Sequence, residues 1–162
     1  MRSFANVAVA MLPLLASSVP AMACDSLAST PVAAFQAVAA APGSYVMAVG
    51  GFAGGTVLDE EWVMGADGTE ASKRDIAGQF TGMAATPEGF TKALDVPVRI
   101  TQFCMDDTCK PEADGLRFLV FLAVKGSAYV FRESGTCAIL SFEAPSQAVL
   151  DKMIGCLNGT CK

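Results

Sequence analysis

Between Tyr45 and Phe142 the apolar positions mostly follow the two-residue period of strands, and near the C-terminus they shift to helical spacing. Tyr45 to Phe52 is apolar and rich in β-formers, and the glycines after it predict a bend or bulge. Thr56 to Met64 is a second run, ended by the turn Gly65-Ala66-Asp67-Gly68. Asp75 to Met83 alternates weakly, with Ile76 and Phe80 sharing a face with Gly78 and Gly82. Val96, Val98 and Ile100 alternate with Pro97, Arg99 and Thr101. Pro97 has no N–H to give a ladder, which places the start of that strand at an edge. Leu116 to Val124 is apolar on both faces, as a central strand requires. Lys125-Gly126 turns the chain, Ser127 to Arg132 returns as a hairpin partner, and Ala138 to Phe142 is a last short β-prone run.

Two helices bracket these strands. Ser29-Thr30-Pro31 starts one, with Pro31 suited to a first turn; it runs from Val32 to Ala41, and Pro42-Gly43 stops it. Pro145-Ser146 opens the other, with Ser146 as N-cap. Its Val149, Leu150, Met153, Ile154 and Leu157 fall on one face. Five to six strands with flanking N- and C-terminal helices predict a mainly β (α+β) fold. The best-known small solution is an OB-like closed β-barrel, here with helices at its ends. No repeat or low-complexity linker interrupts residues 24–162, which form a single domain.

The first 23 residues follow another pattern. Arg2 is a positive n-region, Val7 to Leu15 an apolar core, and Ala21-Met22-Ala23 a small-x-small cleavage site. The core is shorter than the ~20 apolar residues of a bilayer span. Residues 1–23 are therefore expected to be a signal peptide, with export to a bacterial periplasm or the medium and a mature chain starting at Cys24. A lipoprotein signal also ends in a small residue before cysteine, usually with Leu three residues earlier, where this chain has Ala21. A lipid anchor on Cys24 is the alternative.

Charge and residue counts narrow the chemistry. The net charge of −5 and the scattered acids, with no basic stripe, point away from nucleic acid. The histidine count is zero, which removes histidine general bases, Ser-His and Cys-His couples, and imidazole metal ligands. Gly50-Gly51 and Gly54-Gly55 open no phosphate-cradling helix. With no catalytic motif, a non-enzymatic protein without cofactor or resident metal is expected.

All six cysteines lie in the exported part: Cys24, Cys104, Cys109, Cys137, Cys156 and Cys161. An even count in an oxidising compartment predicts disulfides, and spacing alone leaves their connectivity open. Cys104–Cys109 and Cys156–Cys161 each enclose four residues with turn formers, so each is able to close on itself. Cys24 would then pair with Cys137 and tie the N-terminus to the body. Neither zinc-knuckle spacing nor Cys-x-x-Cys occurs.

The remaining features are read as structural. Trp62, the one tryptophan, is taken as half-buried packing, and the dispersed methionines as core filling. Asp106-Asp107 is taken as a solvated loop tip, and the triplet Asn158-Gly159-Thr160 as a turn.

The order of features resembles the netrin-like modules, the OB-barrel family that includes the tissue inhibitors of metalloproteinases. The shared outline is Cys24, then Val96-Pro-Val-Arg-Ile-Thr-Gln-Phe-Cys104, Cys109, the run from Gly115 to Phe131, and Cys137. Ile76-Ala-Gly-Gln-Phe-Thr-Gly82 looks like the family's early barrel strand. In the inhibitor members the first cysteine's α-amine and carbonyl chelate the target's catalytic zinc, and the resemblance implies this role for Cys24 alone. An α-amine offers a neutral nitrogen near neutral pH. The chain departs from that pattern in Ser26, where a second cysteine would stand, in the acidic Asp25, and in the Cys156–Cys161 extension.

The function expected is a monomeric exported binding module for a protein, glycan or lipid. The alternatives are an inhibitor of a metalloprotease or other hydrolase, and an envelope-assembly or structural protein. A disulfide-stapled domain of this size is expected to be heat-tolerant and reducible. Each bridge contributes ~2–4 kcal/mol, the short loops least. Melting temperatures with and without reductant check this, and equal values count against it.

Overall fold

The computed structural model describes residues 30–64, 70–105, 108–110, 117–132 and 140–161. Residues 1–23, Cys24 and Cys137 lie outside that set, as do Asp106 and Asp107.

Three long strands form an antiparallel meander: β1 (Ser44–Met64), β2 (Glu70–Thr86) and β3 (Gly89–Met105). β1 passes straight through its glycines. Its register against β2 slips between Ala53 and Thr56 and again between Val57 and Asp59, so the expected bend is a bulge within one strand. β2 and β3 are longer than their alternating cores because Thr86-Pro87-Glu88-Gly89 is a tight turn. The Thr86 hydroxyl donates to the Gly89 carbonyl at 3.0 Å and accepts from the Glu88 N–H at 3.3 Å. Gly89 sits at φ +136°, a conformation that favours glycine.

Four short strands complete the sheet: β4 (Thr108–Lys110), β5 (Phe118–Lys125), β6 (Ala128–Arg132) and β7 (Ser141–Glu143). β5 and β6 form the expected hairpin, with Gly126 at φ +61° in its turn. β6 lies parallel to β3, Val98 to Thr101 facing Tyr129 to Arg132, and β5 lies antiparallel to β1 from Ser44 to Gly50. The pairings therefore return on themselves, β1-β2-β3-β6-β5-β1, and make a ring, with β7 added to β5 and β4 to β3. Pro97 lies in mid-strand and not at a strand start. Pairing with β6 begins only at Val98, so Pro97 sits where that side of β3 is still open.

Every ring strand sends side chains to one cluster that includes Phe52, Phe80, Val98, Ile100, Phe118, Val120, Leu122 and Phe131. Phe52 is at its centre, 5.2 Å from Phe80 edge to face and 5.0 Å from Phe131. β5 is buried on both faces, as its sequence requires. Phe118, Val120 and Leu122 join the inner cluster, while Leu119 and Phe121 join a second one. That second cluster includes Met47, Val49, Ala34, Leu150 and Met153, and so takes the outer face of β1 and β5 under two helices.

The helices are α1 (Pro31–Ala40) and α2 (Gln147–Leu157). Thr30 caps α1 by accepting from the Ala33 N–H, and Ser146 caps α2 by accepting from the Val149 N–H. They pack on each other over the same outer face, instead of at the ends of the ring. The cause is the outward apolar row Met47, Val49, Leu119 and Phe121, which needs a cover. Past α2, Asn158 and Gly159 make the expected turn, Gly159 at φ +80°, and Cys156 is bonded to Cys161. Among the described residues no helix is long and apolar enough to cross a membrane.

Within the β1–β2 ladder two glycines face each other. Gly50 and Gly82 are register partners. A Cβ on Gly82 would stand 2.3 Å from the Val49 carbonyl oxygen and 2.7 Å from the Gly50 Cα. Both obstacles are backbone and cannot rotate away. Gly82→Ala should therefore cost about 1–3 kcal/mol, the usual penalty of overpacking. Urea unfolding of the variant against the parent chain tests this, and unchanged stability would refute the close contact.

Candidate functional site

The ring uses only part of β1. Pairing with β5 ends at Gly50, while pairing with β2 continues to Met64. Beyond the bulge, Val57–Met64 and Glu70–Ile76 form an arm, backed on the β2 side by the end of β3 and then by β4. Among the described residues no strand pairs with the other edge of β1 beyond Gly50.

The register assigns the faces of this arm. Val57 faces Ile76, Glu60 faces Arg74, Trp62 faces Ser72 and Met64 faces Glu70. These pairs share the face that continues the ring's interior, because β2 keeps its alternation from Ile76 down to Glu70. The slip between Val57 and Asp59 is what brings an odd-numbered valine onto the face of Glu60, Trp62 and Met64. Leu58 is the extra residue and has no register partner. Asp59, Glu61 and Val63 take the opposite face with Asp75, Lys73 and Ala71.

Trp62 is 77 % exposed, which corrects the expectation that it packs half-buried. Met64, Leu58 and Val57 are exposed beside it. The local sequence explains why. Asp59, Glu60 and Glu61 are consecutive in a strand and so put acids on both faces. Neither face of that stretch is able to bury itself, and Trp62 follows directly. The run of acids was the signal for an exposed arm, and a reading of the tryptophan by itself missed it.

The acids are answered from inside the sheet. Lys73 pairs with Glu61, and Arg74 donates from Nε to Glu60 at 2.8 Å. Arg74 and the Ser72 hydroxyl hold the Glu60 carboxyl below its ordinary range. Asp75 lies directly opposite Asp59, a like-charge pairing that would destabilise the ladder unaided. The Thr101 hydroxyl donates to Asp75 at 2.7 Å and Arg99 donates at 2.5 Å. Together they hold the Asp75 carboxyl below its ordinary value against the opposing effect of burial.

Of the cysteines expected to carry disulfides, Cys156 and Cys161 are bonded to each other. Cys104 is disulfide-bonded and faces Cys109 directly across the β3–β4 ladder. It also faces Ser72, which faces Trp62, so one cross-strand row runs Trp62, Ser72, Cys104, Cys109. Cys24, the residue matched to a zinc-chelating amine, and Cys137 lie outside the described residues. Among the described residues no group of three or more Cys, Asp or Glu side chains is placed to hold a metal ion. No protein-family model, curated protein or solved structure matches the chain.

Asp75 has a folded-state pKa below its ordinary value of 3.8. It therefore stabilises the fold above that pH, and the contribution disappears as pH falls through the lowered pKa. Asp75→Asn should be less stable than the parent at pH 7 and lose less stability on acidification. Thermal unfolding between pH 7 and pH 2 reads both. Parallel curves for the two proteins would refute the assignment.

Proposed function

We propose that the protein is an exported, non-enzymatic binding module of OB or netrin-like type that engages a protein ligand through the β1–β2 arm. One observation carries this reading: Trp62, at 77 % exposure, stands with Met64 and Val57 on one face of the arm. Large aromatics in water are the side chains that interfaces use as anchors, because they bring area with few rotors to freeze. The Glu61–Lys73 pair holds the strands together from the opposite face, and the Glu60–Arg74 pair does so within the row, between Val57 and Trp62.

The ring's connectivity supports the OB-type assignment, since its five strands close in the order β1-β2-β3-β6-β5, the last two of the ring in reverse sequence order. In that architecture ligands are commonly met at the connection between the first two strands, the place of this arm. The Cys156–Cys161 bridge and the bonded Cys104 support export, where such bonds persist.

The test is affinity capture from the envelope and extracellular fractions of the source organism on immobilised mature protein. The parent is compared with a Trp62→Ala/Met64→Ala variant that keeps the parent's circular dichroism. Recovery of a partner should fall by roughly tenfold or more in the variant, as for loss of an interface anchor. Equal recovery by both proteins would take the arm out of the function.

A further inference from the structure

We propose that the arm's ligand is an extended basic peptide segment that adds as a strand to the edge of β1 between Thr56 and Met64, which no described strand pairs. This rests on the reading of the arm as the binding surface and specifies how it binds. A strand edge carries a row of backbone donors and acceptors, and an added strand satisfies them as a sheet neighbour does. Earlier in β1 that same edge is taken by β5, so the strand already shows that it pairs on both sides.

The charges select the occupant. Three acids, Asp59, Glu60 and Glu61, lie in succession on the edge strand. The cations that meet them, Lys73 and Arg74, sit one strand inward, on β2. The outboard side of the acids has no strand to supply a cation among the described residues. A strand added there meets the environment that β2 meets from within. The complementary sequence is therefore of the β2 kind: two adjacent basic residues opposite Glu60 and Glu61, with a small or apolar residue beside Trp62. A second copy of the chain is the poorer occupant. Its own β2 is already paired on both edges from Ser72 to Ile76, and pairing the two β1 edges would set acid against acid.

The chain supplies its own probe and its own reporter. The probe is a synthetic peptide with the sequence of residues 70–79 in which glutamine replaces Glu70 and asparagine replaces Asp75, so that Lys73 and Arg74 are its only charged side chains. The reporter is Trp62, the one tryptophan of the chain. Titrating the peptide into the full mature protein should give a saturable blue shift of the tryptophan emission. It should also slow hydrogen exchange at β1 amides between Thr56 and Val63. Affinity should fall roughly tenfold or more when salt rises from about 0.02 to 0.3 M. A comparable loss should follow Glu60→Gln/Glu61→Gln, or replacement of both basic residues of the peptide by glutamate. A peptide N-methylated at alternate amides should not bind.

Equal binding of the N-methylated peptide would overturn strand addition while leaving the arm as the binding surface. A parent chain that dimerises through the same β1 amides at micromolar concentration would assign the edge to a second copy and overturn the basic-peptide proposal. No response of Trp62 to any peptide, together with unaltered partner capture by the Trp62→Ala/Met64→Ala variant, would remove both readings.

Discussion

The structure depends on β5 being apolar on both faces. Phe118, Val120 and Leu122 fill the ring, while Leu119 and Phe121 make the surface on which the helices lie. A strand with only one apolar face would allow the ring or the helical layer, but not both. β5 is also the strand that returns to β1 and closes the circuit of hydrogen bonds, so its insertion removes the sheet edges of the ring portion. The helices need little amphipathic strength of their own, because the cluster they cover is already assembled by β1 and β5. α1 is rich in alanine and buries Ala34 tightly, which suits close approach to a flat apolar surface.

β1 must satisfy two incompatible surroundings within one strand. Up to Gly50 it is a ring member paired on both edges; beyond the bulge no described strand pairs its outer edge and its side chains are mostly exposed. The glycines lie between the two regimes. Gly50 allows close approach to β2, and a Cβ on Gly55 would stand 2.2 Å from the Ala77 carbonyl oxygen, so the bulge itself depends on small residues. After the bulge the sequence turns acidic, as an edge strand must be to resist pairing with its own kind. The exposed Trp62 and Met64 run against that protective chemistry, which is what marks the arm as a candidate binding surface.

Much of this was legible in the residue pattern, and the parts that were not have physical causes. The alternation of Val96, Val98 and Ile100, the two-sided Leu116 to Val124 run and the caps at Thr30 and Ser146 each state a local preference that tertiary structure leaves in place. Gly89 to Asp95 was not legible as strand because Lys92 and Asp95 interrupt its apolar residues; it is recruited by β2 through the Thr86-Pro87-Glu88-Gly89 turn. The helices' common position was hidden because periodicity reports which face is apolar and not what it meets. Trp62 was misread because a lone tryptophan usually packs. The neighbouring acids carried the contrary information, since a strand with charge on both faces has no buried side.

The cross-strand row from Trp62 through Ser72 to Cys104 and Cys109 joins the exposed surface to a covalent restraint. Ser72 and Cys104 are buried although they lie beyond the end of the β3–β6 pairing. The base of the arm is thus a packed stretch of sheet at Ser72 and the disulfide-bonded Cys104, and its β1 strand carries the most exposed apolar side chains. On the proposed reading, binding to such a surface would order few new backbone angles, because its strands are already held in register. The ion pairs add little stability at this exposure, because water screens them. Their larger effect is on geometry. They keep Glu60 and Glu61 aligned across from Arg74 and Lys73, which holds Trp62 on the face that continues the ring's interior. An exposed anchor on a strand held in a ladder would lose less entropy on binding than the same residue on a loop, which favours affinity from a modest contact area.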